Sequence, residues 1–211
     1  MSHVVVVIGG GGLSAEAVAS VHPDVVIAAD SGLDHAVAAG MEPSILVGDM
    51  DSISASGRMW AYAHGVAIDE SPTEKDLTDT ELALETALGV EGITDLTLLG
   101  GWGDRLDHLQ GTLLALGAPS LAGLASLRAW IGDTAITVVH GGHAAALALE
   151  PGRTFSVLAL HGLATGVTVT GAKWELDHTT LHPTEARGVS NEAKEHTMVT
   201  VESGVVTVVV P

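Results

Sequence analysis

The chain is predicted to be an α/β protein, with an N-terminal, mostly parallel sheet carrying helices on both faces and a small antiparallel β-sandwich domain after it. Three observations predict this. Over residues 1–139 short apolar runs alternate with segments of helical spacing, and continuous apolar strands separated by helices indicate a parallel sheet covered on both faces. From residue 140 onward the helical spacing disappears and short β-rich runs broken by glycine take over, the pattern of an antiparallel sheet. Hydrophobic residues make up 46% of the 211 and charged residues 16%, so the chain can bury a core instead of remaining disordered.

The first strand is expected over residues 4–8, a valine run that ends in four glycines. Strands at 25–29, 45–47, 66–68, 96–99 and 135–139 follow, each short, apolar and rich in β-branched residues. Between them the spacing predicts helices over 15–21, 33–39, 54–64, 80–88 and 106–116, with Gly40, Gly65, Gly89 and Gly117 as stop signals. The later runs at 144–149, 155–160, 167–170, 197–201 and 205–210 contain no helical segment. The expected domains are therefore 1–139 and 140–211. In the first, ligands should bind beyond the carboxyl ends of the strands.

Charge and composition exclude several functions. With 26 Asp and Glu against 8 Lys and Arg, the formal net charge is -18, and a phosphate backbone, held mainly by Lys and Arg, would be repelled. The longest unbroken apolar stretch, residues 144–149, is far short of the roughly 20 residues that span a bilayer. The apolar start has no basic residue before it and runs into glycines, unlike a signal peptide. With no cysteine there is neither a disulfide nor a thiolate site. Together these lead us to expect a cytoplasmic protein that binds neither nucleic acid nor membrane.

Four segments at strand ends carry the candidate chemistry. Gly10, Gly12 and Ala15 fit a dinucleotide-binding pattern, with Asp30 closing the second strand where a ribose-binding acid would sit; a plain glycine turn is the alternative. Asp49 and Asp51, two apart where the third strand leaves the sheet, can converge on one hard cation or form a solvated turn before the next helix. Asp76 and Asp79 follow the fourth strand with spacing that puts both on one face of a helix start, although Thr78 and Glu81 also have capping-box spacing. Four aspartates on one rim beside Lys75 suit Mg2+, which takes a few carboxylates and binds phosphate oxygens. After the fifth strand, Gly100 and Gly101 permit close approach of a phosphate, and Arg105 adds a permanently charged donor that Asp107 can orient; Asp107 can equally serve His108. In the second domain Trp174, between Lys173 and Glu175, is a candidate for stacking on a planar cationic ligand or for packing at the sandwich edge.

Taken in order, residues 29–32, 47–52, 75–79 and 100–108, with the weaker 171–176 and 190–192, resemble the thiamine pyrophosphokinase family. The resemblance implies an α/β nucleotide-binding catalytic domain followed by a thiamine-binding β-sandwich, in a homodimer with active sites between subunits. It implies transfer of the pyrophosphoryl group of ATP to thiamine, giving thiamine diphosphate and AMP. Carried over, Asp49, Asp51 and Asp76 would hold Mg2+, with Asp79, Arg105 and Asp107 completing the catalytic set. Asp30, Lys75, Gly101, Arg105 and His108 would face ATP, and Trp174, Ser190 and Asn191 would enclose thiamine. Two positions depart from the family pattern: Asp34, where asparagine is frequent, and Asp104, where glycine is frequent.

Pyrophosphoryl transfer asks the protein to position the phosphates and neutralise developing charge more than to supply covalent chemistry. Asp79 or Asp107 is a candidate acceptor for the hydroxyl proton. The same machinery could serve another hydroxymethyl heterocycle such as a pterin, and a non-catalytic nucleotide- or thiamine-binding regulator is the alternative from a different class.

Overall fold

The computed structural model describes residues 1–72, 74, 76–103 and 105–211. The chain forms two compact units. One comprises Met1–Ala115 with Ala129–Asp133, the other Leu116–Arg128 with Thr134–Pro211. The chain thus first leaves the first unit after Ala115, ahead of the division expected at 139/140, which falls at the end of a strand of the second unit.

In the first unit β1 (Ser2–Val7), β2 (Val25–Ala29), β3 (Ile45–Gly48), β4 (Ala67–Glu70) and β5 (Ile93–Leu99) form parallel pairs in the order β5-β1-β2-β3-β4. The valine run lies inside this order, with β5 on one side and β2 on the other. Val4 to Val7 of β1 are fully buried, and their branched side chains suit a pleated strand with neighbours on both sides. β4 differs: all four of its residues are exposed, so it is an edge, and its Asp69 and Glu70 fit an edge exposed to water.

The connecting helices are α1 (Ala15–Ala19), α2 (Gly32–Ala38), α3 (Ala55–His64), α4 (Asp79–Leu88) and α5 (Leu106–Ala115). Ser14, Ser54 and Thr78 cap α1, α3 and α4 through their side-chain oxygens, which accept backbone N–H groups that would otherwise lack partners. Thr78 and Glu81 complete a reciprocal capping box. Because α4 begins at Asp79, Asp76 precedes the cap, and the helical spacing expected to put Asp76 and Asp79 on one face does not apply to it. Ala17 of α1, Leu33 and Ala36 of α2 and Ala61 of α3 are buried against apolar strand residues.

A short 3-10 turn at Pro119–Gly123 precedes β6 (Ser126–Ile131), a strand that the sequence reading passes over. Leu127, Ala129 and Ile131 are buried and Arg128 is exposed, but the apolar Trp130 occupies the next outward position and blurs the alternation. The antiparallel pairs of the second unit join β7 (Thr134–His140), β8 (Ala144–Ala146), β9 (Thr154–Leu158), β10 (Ala164–Ala172), β11 (Leu176–Leu181), β12 (Asn191–Thr200) and β13 (Val205–Val210). Their order is β7-β13-β9-β12-β10-β11, with β8 also on β12. β12 pairs with β9 at Asn191 and Glu192 and with β10 from Ala193 onward, so one long strand passes from one sheet to another, as at the corner of a sandwich. Phe155, Val157, Val167, Val169, Val199, Val206 and Val208 fill the core between.

This unit also holds one buried histidine and one half-buried one. His140 is 6% exposed and its Nε2 has no partner among the described residues, while His161 bonds to the Thr207 hydroxyl at 3.0 Å. Burial holds both below the usual histidine range; His143 adds to the effect on His140, and His140 to that on His161, while the Leu116 carbonyl opposes it on His140. The fold therefore favours the neutral rings, and their contribution is lost as pH falls below the ordinary value of 6.5 toward the depressed folded values. Between pH 7.5 and pH 5.5 the melting temperature of the parent should shift further toward lower stability than that of His140→Leu; an equal shift in the two would remove the pair from the account.

No helix among the described residues is long and apolar enough to cross a membrane.

Candidate active site

The parallel order sets the site. β2 and β3 are neighbours in a register that pairs Ala29 with Val47, so the residues that leave these strands, Asp30 and Gly48-Asp49, emerge side by side. Asp30 has a φ of 45° and is 9% exposed, and its Oδ1 accepts the Met50 N–H at 3.0 Å. One carboxylate oxygen each from Asp30, Asp49 and Asp79 lies within 4.8 Å of the others. Asp79 arrives from the first turn of α4, set by the Thr78 cap.

The crowding changes the chemistry of Asp30. Burial first, then the neighbouring Asp79 and Asp49 carboxylates, push the Asp30 carboxyl up to about 7, while the Met50 N–H acts in the opposite direction. Such a set of hard oxygen donors fits a divalent cation, which would remove the repulsion that raises Asp30.

Gly48 is needed for this arrangement. Its φ is +135°, and a Cβ there would lie 2.3 Å from Asp30 Oδ1. Gly48→Ala should therefore destabilise the protein by roughly 1–3 kcal/mol and displace the Asp30 carboxylate. Denaturant unfolding measures this, and an unchanged midpoint would show that the turn relaxes freely.

The loop from 49 to 54 is held from two directions. Arg58 donates to the Met50 carbonyl at 2.6 Å, and Asp34 accepts from the Ser54 N–H at 2.8 Å and the Ser54 hydroxyl at 2.5 Å. At the position where asparagine was noted as frequent, Asp34 thus anchors the start of α3. Arg58 carries no motif that marks it in the sequence, and Asp34 is marked there only as a departure from the family pattern.

A cavity of about 590 Å3 opens beside the acids, lined among others by Gly9, Gly10, Ser31, Ser52, Thr78 and Thr112. The glycine run forms part of its wall. Gly10, at φ +114°, packs so closely on the 101–102 backbone that a Cβ would sit 2.8 Å from the Trp102 carbonyl, and Gly101 donates to the Gly9 carbonyl at 2.9 Å. Gly10 and Gly101 thus let two loops meet at the cavity wall, and Asp30 faces Met50, Asp49 and Asp79 instead of standing apart as a ribose-binding acid would.

Arg105, Asp107 and His108 line the same cavity. Arg105 stands just before α5 and grips Asp107 through two bonds, Nε at 3.0 Å and a terminal nitrogen at 2.6 Å. That guanidinium holds the Asp107 carboxyl well below the usual carboxylate range. Of the other expected residues, Gly101 lines the cavity, whereas Asp51 and Asp76 are exposed and stand outside the group of three. The Asp51 N–H donates to Asp49 Oδ1 at 3.2 Å. Lys75 and Asp104 lie outside the described residues.

In the second unit a cavity of about 330 Å3 is lined by Trp174, Glu175, Arg187, Gly188, Val189 and Asn191 with two aliphatic residues. Trp174 is 56% exposed. Gly188 leaves no room for a side chain, since a Cβ would meet the Val157 carbonyl at 2.0 Å. Ser190, at φ 61°, is not part of the lining; its N–H donates to the Ser156 hydroxyl at 3.1 Å. Arg187 and Glu175 are not among the residues expected to bind, and the strand β11 between them is not predicted.

Residues 19–121 match the description "Thiamin pyrophosphokinase, catalytic domain" and residues 145–206 "Thiamin pyrophosphokinase, vitamin B1 binding domain". No curated protein matches the chain. Among solved structures, a thiamine pyrophosphokinase from Bacillus subtilis superposes with a TM-score of 0.81 at 23% identity, covering 99% of this chain and 98% of that one. A thiamin pyrophosphokinase family protein from Enterococcus faecalis gives 0.80 at 26% identity over 99% and 98%. The thiamin pyrophosphokinase from Candida albicans retains the fold at 15% identity, with a TM-score of 0.75 over 99% of this chain and 88% of that one. With both domain descriptions matched in order along most of its length, this chain belongs to the thiamin pyrophosphokinase family.

Proposed function

We propose that the chain transfers the pyrophosphoryl group of ATP to the hydroxyethyl group of thiamine, releasing AMP, with Mg2+ held by Asp30, Asp49 and Asp79. The observation that carries this reading is the convergence of those three carboxylates within 4.8 Å beside a cavity of the catalytic domain. Bound there, the cation would neutralise charge on the phosphate oxygens. The chain's own part is positional. Gly9, Gly10 and Gly101 leave the cavity wall without side chains, so a polyphosphate can approach the backbone. Arg105, oriented by Asp107, brings a permanent positive charge to the same wall. Of the two aspartates considered as proton acceptor, Asp107 is the poorer, because Arg105 keeps it ionised. The second cavity, with an exposed indole and the Glu175 carboxylate, suits a planar cation such as thiamine.

The test is AMP release from ATP and Mg2+ with thiamine, run beside a hydroxymethylpterin. Thiamine-dependent AMP is expected. AMP with the pterin alone would overturn the acceptor, and none with either would overturn the reaction.

A further inference from the structure

Trp174 is an exposed aromatic on a turn, yet its position is closely determined. β10 ends at Ala172, paired with Ala193, and the ladder continues for one more bond, from the Lys173 N–H to the Glu192 carbonyl at 2.9 Å. The next partner in register is Asn191, but its backbone already pairs with Phe155 of β9. Its side chain takes over. Asn191 Oδ1 accepts the Trp174 N–H at 3.1 Å and the Glu192 N–H at 2.9 Å, and Nδ2 donates to the Trp174 carbonyl at 2.7 Å. Both backbone polar groups of Trp174 are therefore held by one carboxamide that is itself only 7% exposed.

The ring is held as well. Lys173 Nζ lies 4.8 Å from the centroid of the Trp174 ring and is fixed there by Glu192 at 3.1 Å. Lys173 and Glu192 do not line the cavity, whereas Trp174 does, so the ammonium backs the indole from outside. The turn is closed by Glu175 Oε1, which accepts the Gly171 N–H at 2.9 Å.

We infer that Asn191 and Lys173 are positioning residues that act on the acceptor through Trp174: the Asn191 carboxamide clamps its backbone and the Lys173 ammonium backs its ring, presetting an aromatic wall for a planar cationic ring. The inference rests on the reading that this cavity receives thiamine. It gives Asn191 a task beside the ligand contact expected of it, since its carboxamide oxygen and one of its two N–H donors are committed to the turn. An exposed indole left free to rotate would lose that freedom on binding, and presetting it removes the cost.

A double-mutant cycle tests this by steady-state kinetics. Trp174→Ala should raise the thiamine KM about tenfold or more, with the ATP KM within about twofold. Asn191→Asp, which keeps shape and acceptor but loses the donor to the Trp174 carbonyl, should raise the thiamine KM about tenfold in the parent and less than about twofold in the Trp174→Ala background. Lys173→Met, at an exposed side chain that can be lost without unfolding, should show the same pattern at about threefold and decides the matter where Asn191→Asp does not fold. Equal effects in both backgrounds, or none with Trp174 intact, would overturn the positioning role. An unchanged thiamine KM in Trp174→Ala would instead overturn the reading of the cavity.

Discussion

Asp49→Asn and Asp79→Asn are each expected to cut AMP formation by roughly 100-fold or more while leaving the metal-free protein as stable as the parent or more so. The two halves of this expectation have one cause. With oxygens of Asp30, Asp49 and Asp79 within 4.8 Å of one another, removing a charge relieves repulsion in the empty fold and removes a donor from the loaded one. A merely structural aspartate would lower activity and stability together. Measuring turnover beside the unfolding midpoint separates the cases, and near-normal turnover would withdraw the cation from this cluster. Asp51→Asn and Asp76→Asn belong in the same series: a loss equal to that of Asp49→Asn would place them in the shell as well.

The second large effect is the coupling of metal to pH through Asp30. Its carboxyl is raised from 3.8 to about 7, so the metal-free fold prefers the proton. The stability this confers is fully present below pH 4 or so and is lost as pH rises through 7. A cation needs the carboxylate and must displace that proton. Mg2+ affinity should therefore rise about tenfold from pH 6 to pH 8, and the Mg2+-induced gain in melting temperature should grow over the same window. In Asp30→Asn both trends should flatten. Calorimetric titration with Mg2+ alone at the two pH values reads this without substrate; a pH-independent affinity in the parent would detach Asp30 from the cation.

Much of the fold was legible because it depends on local pattern. The valine run of β1, the glycines after the strands and the capping box at Thr78 and Glu81 each declare themselves within a few residues. The strands that the pattern does not declare, β6 and β11, are those with an apolar Trp130 at an outward position or with polar residues throughout 177–180. There burial is decided by the neighbours.

The acidic loops could be found the same way, but the group they form could not. Asp30 and Asp49 are 19 positions apart in the chain and meet because β2 lies beside β3. Asp76 and Asp79 are three apart and part company because the cap at Thr78 starts the helix between them. Asn191 reads as a ligand residue, and only the structure shows that its backbone is occupied in one sheet while its side chain holds the backbone of Trp174.

By itself the sequence determined the family, the alternation of strand and helix, and which loops carry carboxylates, all of which follow from spacing along the chain. Only the tertiary structure decided which carboxylates converge and which polar side chains are already spent on the fold. Those depend on strand order and register, which bring distant residues within reach and separate near ones.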